Sequence, residues 1–583
     1  MPGLWGIITE NNTKMNEDFS DAFHEERSVK YLRDNANVDG TNFGRFSVDK
    51  FKKDKIFRKV GQTSVVSEGI VLNMTTLLRQ YHARDFAELV TKVYEQFGLR
   101  FINLLRGNFA VFLCFHSDNK ALLFTDHLAA KPVYYYWDKR SRTLVFASEL
   151  KVVSRIMRHM GFACHLDVNG AYCLLTFGYM LGDLTLIREV SKIPPGHALV
   201  YDNGEIEVEE YYRFSNKPYV EDAEAQIVRE LDQRFREAIR LEYNKDSENG
   251  YSHLVTLSGG LDSRTNVAYA EKIGYDNITC FTFSESNYLD QKIARQICSD
   301  HHFRWVFYAL DNGDYLATNL DEIVASNDGM VLYGGSAHLY SCLRNLSFED
   351  YGLVHTGMLG DAMYKFLEAP YHTHITDDLG AYSNRLLARI QSKVKEELAK
   401  YPTIELFKYY NRGINCVFNG YRMIEQFTEF SSPFLYKDFL DYVLRIHPKY
   451  RYKASIYLKW INSYLPEYSG YIWEHCGVPP KYPRPIRTVS WSIRAAAGRI
   501  FREQPRNVAR TLSMNPFDCW WRHNDSLRKR IQSIFEQRIL NIDMDQNLRE
   551  DSEFLFRTGS LLEKTQVLTL ITAIKTLGLT NDV

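Results

Sequence analysis

The stretch His253 to Arg264, His-Leu-Val-Thr-Leu-Ser-Gly-Gly-Leu-Asp-Ser-Arg, constrains this chain more than any other. An apolar, β-branched run ends at Ser258. Two glycines follow, then Asp262 and Ser263, then a helical run from Thr265 to Lys272 that stops at Gly274. A strand, a Ser/Gly loop and a helix in that order make an anion cradle. Glycines let backbone N–H groups approach phosphate oxygens, and the helix N-terminus adds partial positive charge. The spacing is neither that of a Walker loop nor that of a dinucleotide fingerprint. An ordinary strand-turn-helix is the competing reading. The complete string Ser258 to Ser263 between a strand and a helix favours the cradle.

The surroundings fit that reading. Ile227, Leu231, Phe235 and Ile239 recur every four residues between Asp222 and Tyr243, which predicts an amphipathic helix just before the loop. After the loop the pattern predicts a strand over Ile278 to Phe283, a helix from Leu289 to about Ser299 and a strand over Phe303 to Leu310. Strands alternating with helices predict a parallel, doubly wound sheet. A ligand then sits beyond the C-terminal ends of the strands, where Ser258 to Ser263 falls. From about Asp378 onward the chain reads as mostly helical. Its last helix is predicted over Leu561 to Leu577, ending at Gly578.

The first part of the chain reads differently. Gly107 to Phe115, Ala121 to Phe124, Val133 to Trp137, Thr143 to Ala147 and His197 to Tyr201 are short strand-like runs with polar turns between them. They predict stacked antiparallel sheets. At 583 residues the chain exceeds one core, so two units are expected, 1–213 and 220–583.

Composition excludes other classes. A net charge of -1 gives no global field to draw in nucleic acid or an acidic membrane. No apolar run approaches membrane length. Nine scattered cysteines without a Cys-x-x-Cys pair argue against a disulfide framework and a zinc site. With no basic-then-apolar leader, the expected compartment is the cytoplasm.

Several strings in order resemble the asparagine synthetase family. Arg106-Gly-Asn-Phe-Ala110, Thr125 to Tyr135 and Phe146-Ala-Ser-Glu-Leu-Lys151 look like its glutaminase half, and Ile193-Pro-Pro-Gly-His197 like the turn that closes that half. Ser258 to Ser263 matches its ATP loop. Gly357-Met-Leu-Gly-Asp361 resembles its second metal and pyrophosphate loop, usually Gly, Glu, Gly, a small residue and Asp. Glu429-Phe-Ser-Ser-Pro-Phe-Leu435 resembles a further segment, Glu-x-Arg-x-Pro-Phe-Leu. The resemblance runs from residue 106 to residue 435. It implies an α/β multi-domain protein. The first part would be an Ntn-type α/β/β/α sandwich of antiparallel sheets. The second would be a doubly wound ATP-pyrophosphatase domain with a helical C-terminal part from about 378. A homodimer is left open.

Departures from the family are as informative. The family's glutamine-hydrolysing nucleophile is a cysteine at position 2, where this chain has Pro2. No cysteine occurs before Cys114, and Met-Cys occurs nowhere. Proline has no thiol to attack an amide, so glutamine hydrolysis is expected to be absent. The family's glutamine-holding strings are missing too. The layout is then similar to β-lactam synthetase and lasso-peptide cyclase, which carry a silent glutaminase-like half before a working synthetase half.

The resemblance implies ATP and Mg²⁺ as cofactors. Leu257, Ser258, Gly259, Gly260, Leu261, Asp262, Ser263, Arg264, Phe283, Gly357 and Gly360 would hold ATP or pyrophosphate. Asp262 and Asp361 would hold the metal, which suits a few carboxylates plus phosphate oxygens. Arg264 sits at the positive end of a helix dipole, so contact with pyrophosphate is one reading and a solvated arginine the other. Met358 stands where asparagine synthetase has Glu and β-lactam synthetase has Tyr, and it can neither take nor give a proton. Glu429 is then a candidate base for the incoming amine, with a structural ion pair as the alternative. Lys481, with Lys459 behind it, is the candidate for the family's late lysine, because His475-Cys476 stand near that lysine's place. The expected activity joins a small-molecule, peptide or glycan carboxylate to ammonia or an amine. Asparagine synthesis from ammonia and a nucleotide-binding protein without turnover are the competing readings.

Overall fold

The computed structural model describes residues 2–9, 17–38, 40–367, 379–500 and 513–581, with no side chains for 497–500. Three sheets organise the chain. The first has six antiparallel strands in the order Ser191–Lys192, Tyr134–Asp138, Thr143–Ala147, Gly3–Ile8, Thr41–Val48 and Tyr31–Val38. The second also has six, in the order Glu205–Glu210, His197–Asp202, Lys120–Thr125, Gly107–Phe115, Thr63–Val71 and Phe57–Val60. Their facing sides interlock through Leu4, Phe43 and Phe146 from one and Val66, Phe112 and Leu123 from the other. The outer side of the second sheet packs Val65, Phe109 and Val111 on the helix Phe86–Phe97. The outer side of the first sheet packs on the helices Leu150–His159 and Val168–Phe177. The expected helix, sheet, sheet, helix layering is present.

The third sheet is wholly parallel. Its order is Arg304–Ala309, Ile278–Ser284, Ser252–Thr256, Tyr351–His355 and Phe430–Ser431. Leu254 and Val255 are both fully buried, one in each of the two cores on opposite sides of this sheet. Coverage on both faces is why the strand reads as a continuous apolar run. In chain order the strands lie third, second, first, fourth, fifth. The winding direction therefore reverses between Ser252–Thr256 and Tyr351–His355. A crevice opens at such a reversal, beyond the C-terminal ends of the two strands.

The helix before the sheet spans Glu224–Glu248, and its predicted stripe, Ile227, Leu231, Phe235 and Ile239, is fully buried. Two turns further on, Asp246 pins three elements. Its carboxylate accepts from His253 Nδ1 at 2.9 Å, His355 Nε2 at 2.7 Å and the Leu353 N–H at 2.7 Å. The last helix spans Leu561–Leu577 as expected, with a capping box between Ser560 and Glu563 and Gly578 in the left-handed region at φ 62°. It is buried nearly all round, because it docks on the first part of the chain. Gln566 Nε2 donates to the Leu174 carbonyl at 3.0 Å and Ser154 Oγ to the Leu577 carbonyl at 2.7 Å.

A dry cluster of charges joins the antiparallel and parallel regions. Lys55 and Lys131 come from the first, Glu425 and Glu429 from the second, and all four side chains are 2% exposed or less. Beside it Arg106 forks onto Asp438 at 2.9 and 3.0 Å, and Asn108 Nδ2 donates to the Phe430 carbonyl at 2.8 Å. Among the described residues no helix is long and apolar enough to cross a membrane.

Candidate active site

A cavity of about 330 Å³ occupies the crevice at the strand reversal. Of the sequence-predicted residues, Leu257, Ser258, Gly260, Asp262, Ser263, Phe283 and Gly357 line it. The loop is shaped by its own hydroxyls. The Ser258 N–H donates to Ser263 Oγ at 3.0 Å, and the Gly260 N–H donates to Ser258 Oγ at 3.2 Å. Leu257 continues the sheet ladder, with its N–H on the Phe281 carbonyl at 2.9 Å. Leu261 turns into the core. Gly259 packs against the cavity's acidic residues: its N–H donates to Asp290 Oδ1 at 2.7 Å, and a Cβ there would lie 2.9 Å from Glu474 Cβ.

The second predicted loop lies directly on the first. A Cβ on Gly357 would fall 2.2 Å from the Ser263 nitrogen, and one on Gly360 would fall 2.5 Å from Asp262 Cγ. Only glycine allows this approach. Between them Leu359 sits at φ 64°, a conformation that strains a residue with a Cβ. Contact between the loops sets Asp361 beside Asp262, which lines the cavity. Asp262 accepts a hydrogen bond from the Tyr457 hydroxyl at 2.8 Å. Burial, and after it the Asp361 carboxylate, push the Asp262 carboxyl up to about 7. Asp361 is 37% exposed and pairs with Lys365 Nζ at 2.7 Å, one turn along the helix Ala362–Lys365.

Several residues of the cavity carry no signature in the sequence. Asp290 and Glu474 line it, as do His338 and Tyr421. Burial lifts Asp290 to about 7 and lowers His338 to about 4. The spacing of Lys365 four residues after Asp361 on a helix was the one available cue for that pair. Asp290 and Glu474 gave none, since they meet the loop only through the fold.

Asp262, Asp290 and Glu474 give the cavity an acidic lining, and the Asp361–Lys365 pair lies beside Asp262. A polyphosphate would be repelled from it unless divalent cations came with it. Two neighbouring carboxylates, Asp262 and Asp361, are the oxygen donors that Mg²⁺ takes, so the residues present fit a Mg²⁺-nucleotide.

Three expectations are corrected. Arg264 does not face the cavity. It is 2% exposed, and its guanidinium is spent on backbone carbonyls: Gly259 at 3.0 Å, Ile472 at 2.6 Å, Tyr471 at 3.2 Å and Tyr468 at 3.4 Å. It is a strut that ties the loop to the segment 468–472. Glu429 lies outside the cavity, 2.8 Å from both Lys55 Nζ and Lys131 Nζ. Burial would raise its carboxyl, but the two ammonium groups outweigh burial and hold it at about 2, which leaves it a poor base. The ion-pair alternative is the correct one. Lys481 is exposed on the surface beside Gly470 and does not line the cavity. Lys459 pairs with Glu224, also at the surface.

Residues 48–212 match a family described as a glutamine amidotransferase domain, and residues 230–412 match asparagine synthase. The chain has an asparagine synthetase-like architecture. Among curated proteins it is 25% identical over 211 residues to a putative asparagine synthetase [glutamine-hydrolyzing] 2 of Methanocaldococcus jannaschii, covering 35% of this chain and 39% of that one. It is 25% identical over 240 residues to the amidase chyE of Penicillium rubens, covering 37% and 33%. It is 27% identical over 183 residues to the amidase chry2 of Gibberella zeae, covering 30% and 25%. The chain thus spans between a quarter and about two fifths of the length of these relatives.

Proposed function

We propose that this chain is an ATP-dependent, amide-forming ligase that activates a carboxylate as its adenylate and transfers the acyl group to ammonia or an amine. The observation that carries this reading is the contact between the Ser258–Ser263 and Gly357–Asp361 loops, which lines one cavity with Asp262 and a hydroxyl cradle and sets Asp361 beside Asp262.

In the first half-reaction a carboxylate oxygen bonds to the α-phosphorus of ATP. The bond from that phosphorus to the bridging oxygen breaks, and pyrophosphate leaves with the electron pair. In the second, the amine nitrogen bonds to the acyl carbon, the carbon–oxygen bond to AMP breaks, and the amine gives up a proton. Ser258 and Ser263 hydroxyls and the Gly260 N–H bind the pyrophosphate end. Phe281 and Phe283 line the far side of the cavity, where a flat base fits. Asp262 and Asp361 would hold Mg²⁺, which when bound neutralises the triphosphate. Lys365, paired with Asp361, would offset charge that develops on the departing groups.

The first part of the chain is proposed to lack glutamine hydrolysis. Pro2 precedes the strand Gly3–Ile8, and a Cβ on Gly3 would fall 2.3 Å from Ser148 Cβ. Cys114, the first cysteine, is buried within the strand Gly107–Phe115. Incubation with glutamine should release no glutamate above a no-enzyme control. Release that a glutamine-analogue alkylator blocks would contradict this. The ligase reading itself is tested by ATP–pyrophosphate exchange across a panel of carboxylates, with aspartate included. Acid-dependent exchange is expected. Formation of ADP in place of AMP would overturn the adenylate chemistry.

A further inference from the structure

A second, larger cavity of about 510 Å³ adjoins the first. The two share a wall. Lys365 lines the second cavity while its ammonium pairs with Asp361, and Glu474 lines the first while the next residue, His475, lines the second. Their charges are opposite. The second cavity is lined by Lys365, Lys408, Arg412, Lys453, Arg484 and Arg487, and by no Asp or Glu among the described residues. Chain composition does not explain this, because 71 Lys and Arg are balanced by 72 Asp and Glu. Like charges gathered in a concave wall focus the field and concentrate anions.

Lys365 pairs with Asp361 and Arg412 donates to Cys416 Sγ, whereas Arg487 is placed at an energetic disadvantage that an anion would remove. Arg484 and Arg487 lie three residues apart on the helix Arg484–Ile500, where like charges repel. Among the described residues Arg487 Nε is buried with no hydrogen-bond partner. Burial, and with it Arg484, pull the Arg487 guanidinium below its usual range. Arg412 lies flat over the Tyr382 ring at 4.2 Å, which holds its fork in place. Trp473, Trp491 and Phe366 supply apolar surface between the charges, and Trp491 is 43% exposed.

We propose that this cavity receives the acyl substrate, and that the substrate is a polyanion: a small molecule with at least two carboxylate or phosphate groups besides the carboxylate that is activated. The proposal rests on the ligase reading. Arginine forks bind carboxylate and phosphate in the same bidentate way, so the chemistry shared by the two is what the cavity recognises. The opposed polarity of the two cavities sorts the substrates. The acidic one takes the nucleotide with its metal, and the basic one takes the free polyanion up to the shared wall at Lys365.

The test is calorimetric binding to the full chain without ATP, so that it does not depend on turnover. Tricarballylate and 2,3-bisphosphoglycerate are the polyanion probes, and butyrate is the single-charge control. At least one polyanion should bind about tenfold or more tighter than butyrate, the worth of one or two charge-assisted contacts. The double variant Arg484→Gln/Arg487→Gln should lose that preference while Mg²⁺-ATP affinity stays within about twofold. Arg84→Gln/Arg557→Gln, which removes the same charge from exposed positions, should bind the probe as wild type does. The arm that binds tells carboxylate from phosphate recognition. Equal binding of butyrate and both polyanions would overturn the proposal. So would equal loss in the two double variants, or displacement of the probe by Mg²⁺-ATP. Probe binding without any Mg²⁺-ATP binding would instead sink the ligase reading and leave the anion site standing.

Discussion

Glu429 and Arg264 each looked like a contact to substrate and each turns out to hold the scaffold. Both are charged residues beside a recognisable motif, and motif spacing does not reveal which way a side chain points. Glu429→Gln separates the two roles. It takes from Lys55 and Lys131 the nearer of the two buried carboxylates each one meets, leaving Glu68 and Glu425, so unfolding stability should fall by about 3 kcal/mol, read from the urea midpoint. A base would give unchanged stability and a slower amine-transfer step. Arg264→Lys strips the loop of a fork that four carbonyls share, and should destabilise by about 2 kcal/mol while weakening ATP binding. Asp262→Asn and Asp361→Asn belong to the other kind. Each removes a charge that holds a cation against a polyanion, so Mg²⁺-dependent ATP binding should vanish with little change in melting temperature. Wild-type affinity in both variants would mean the metal lies elsewhere.

Loops and helices carry the next level of the argument. Gly357→Ala puts a methyl 2.2 Å from the Ser263 nitrogen. The two loops must then separate, and exchange activity should drop at least about a hundredfold while the far-ultraviolet circular dichroism stays native. The helix Glu224–Glu248 makes a pH-dependent contact with the parallel sheet. Burial alone would lower His355, but Asp246 and Glu242 outweigh it and raise the imidazolium to about 9. A folded-state value above the usual 6.5 stabilises the fold wherever the histidine is protonated in both states. That contribution is complete below about pH 6.5 and is lost as pH rises through 9, a change of about 3 kcal/mol. The urea midpoint should therefore fall between pH 6.5 and 9.5, and His355→Asn should flatten the slope. The sequence announced most of these elements. The strands Gly107–Phe115 and Thr143–Ala147 and the helix Leu561–Leu577 lie where periodicity puts them. The five strands between Gly3 and Val71 escaped because polar and glycine residues interrupt their apolar pattern. Phe430–Ser431 escaped because two residues carry no period at all.

At the scale of the whole molecule, chemistry and architecture divide unevenly between what the chain announces and what only folding assembles. The two aspartate loops are local strings about a hundred residues apart, and each could be read alone. Asp290 and Glu474 join them only through the fold, around a parallel sheet that reverses direction between its first and fourth strands, whereas Lys365 comes with Asp361 on one helical turn. The basic cavity beside them gathers cations from four separate segments between Lys365 and Arg487, so no window of sequence could display it. The last helix shows the same limit, since its stripe was legible but its docking on the first part of the chain was not. The central claim is that the two loops form one adenylating site, and ATP–pyrophosphate exchange tests it most directly. With polycarboxylates and phosphorylated acids added to the panel, label should pass from pyrophosphate into ATP only when the right acid is present. It should stop in both Asp262→Asn and Asp361→Asn. Exchange that persists in those variants, or ADP as the nucleotide product, would contradict the account.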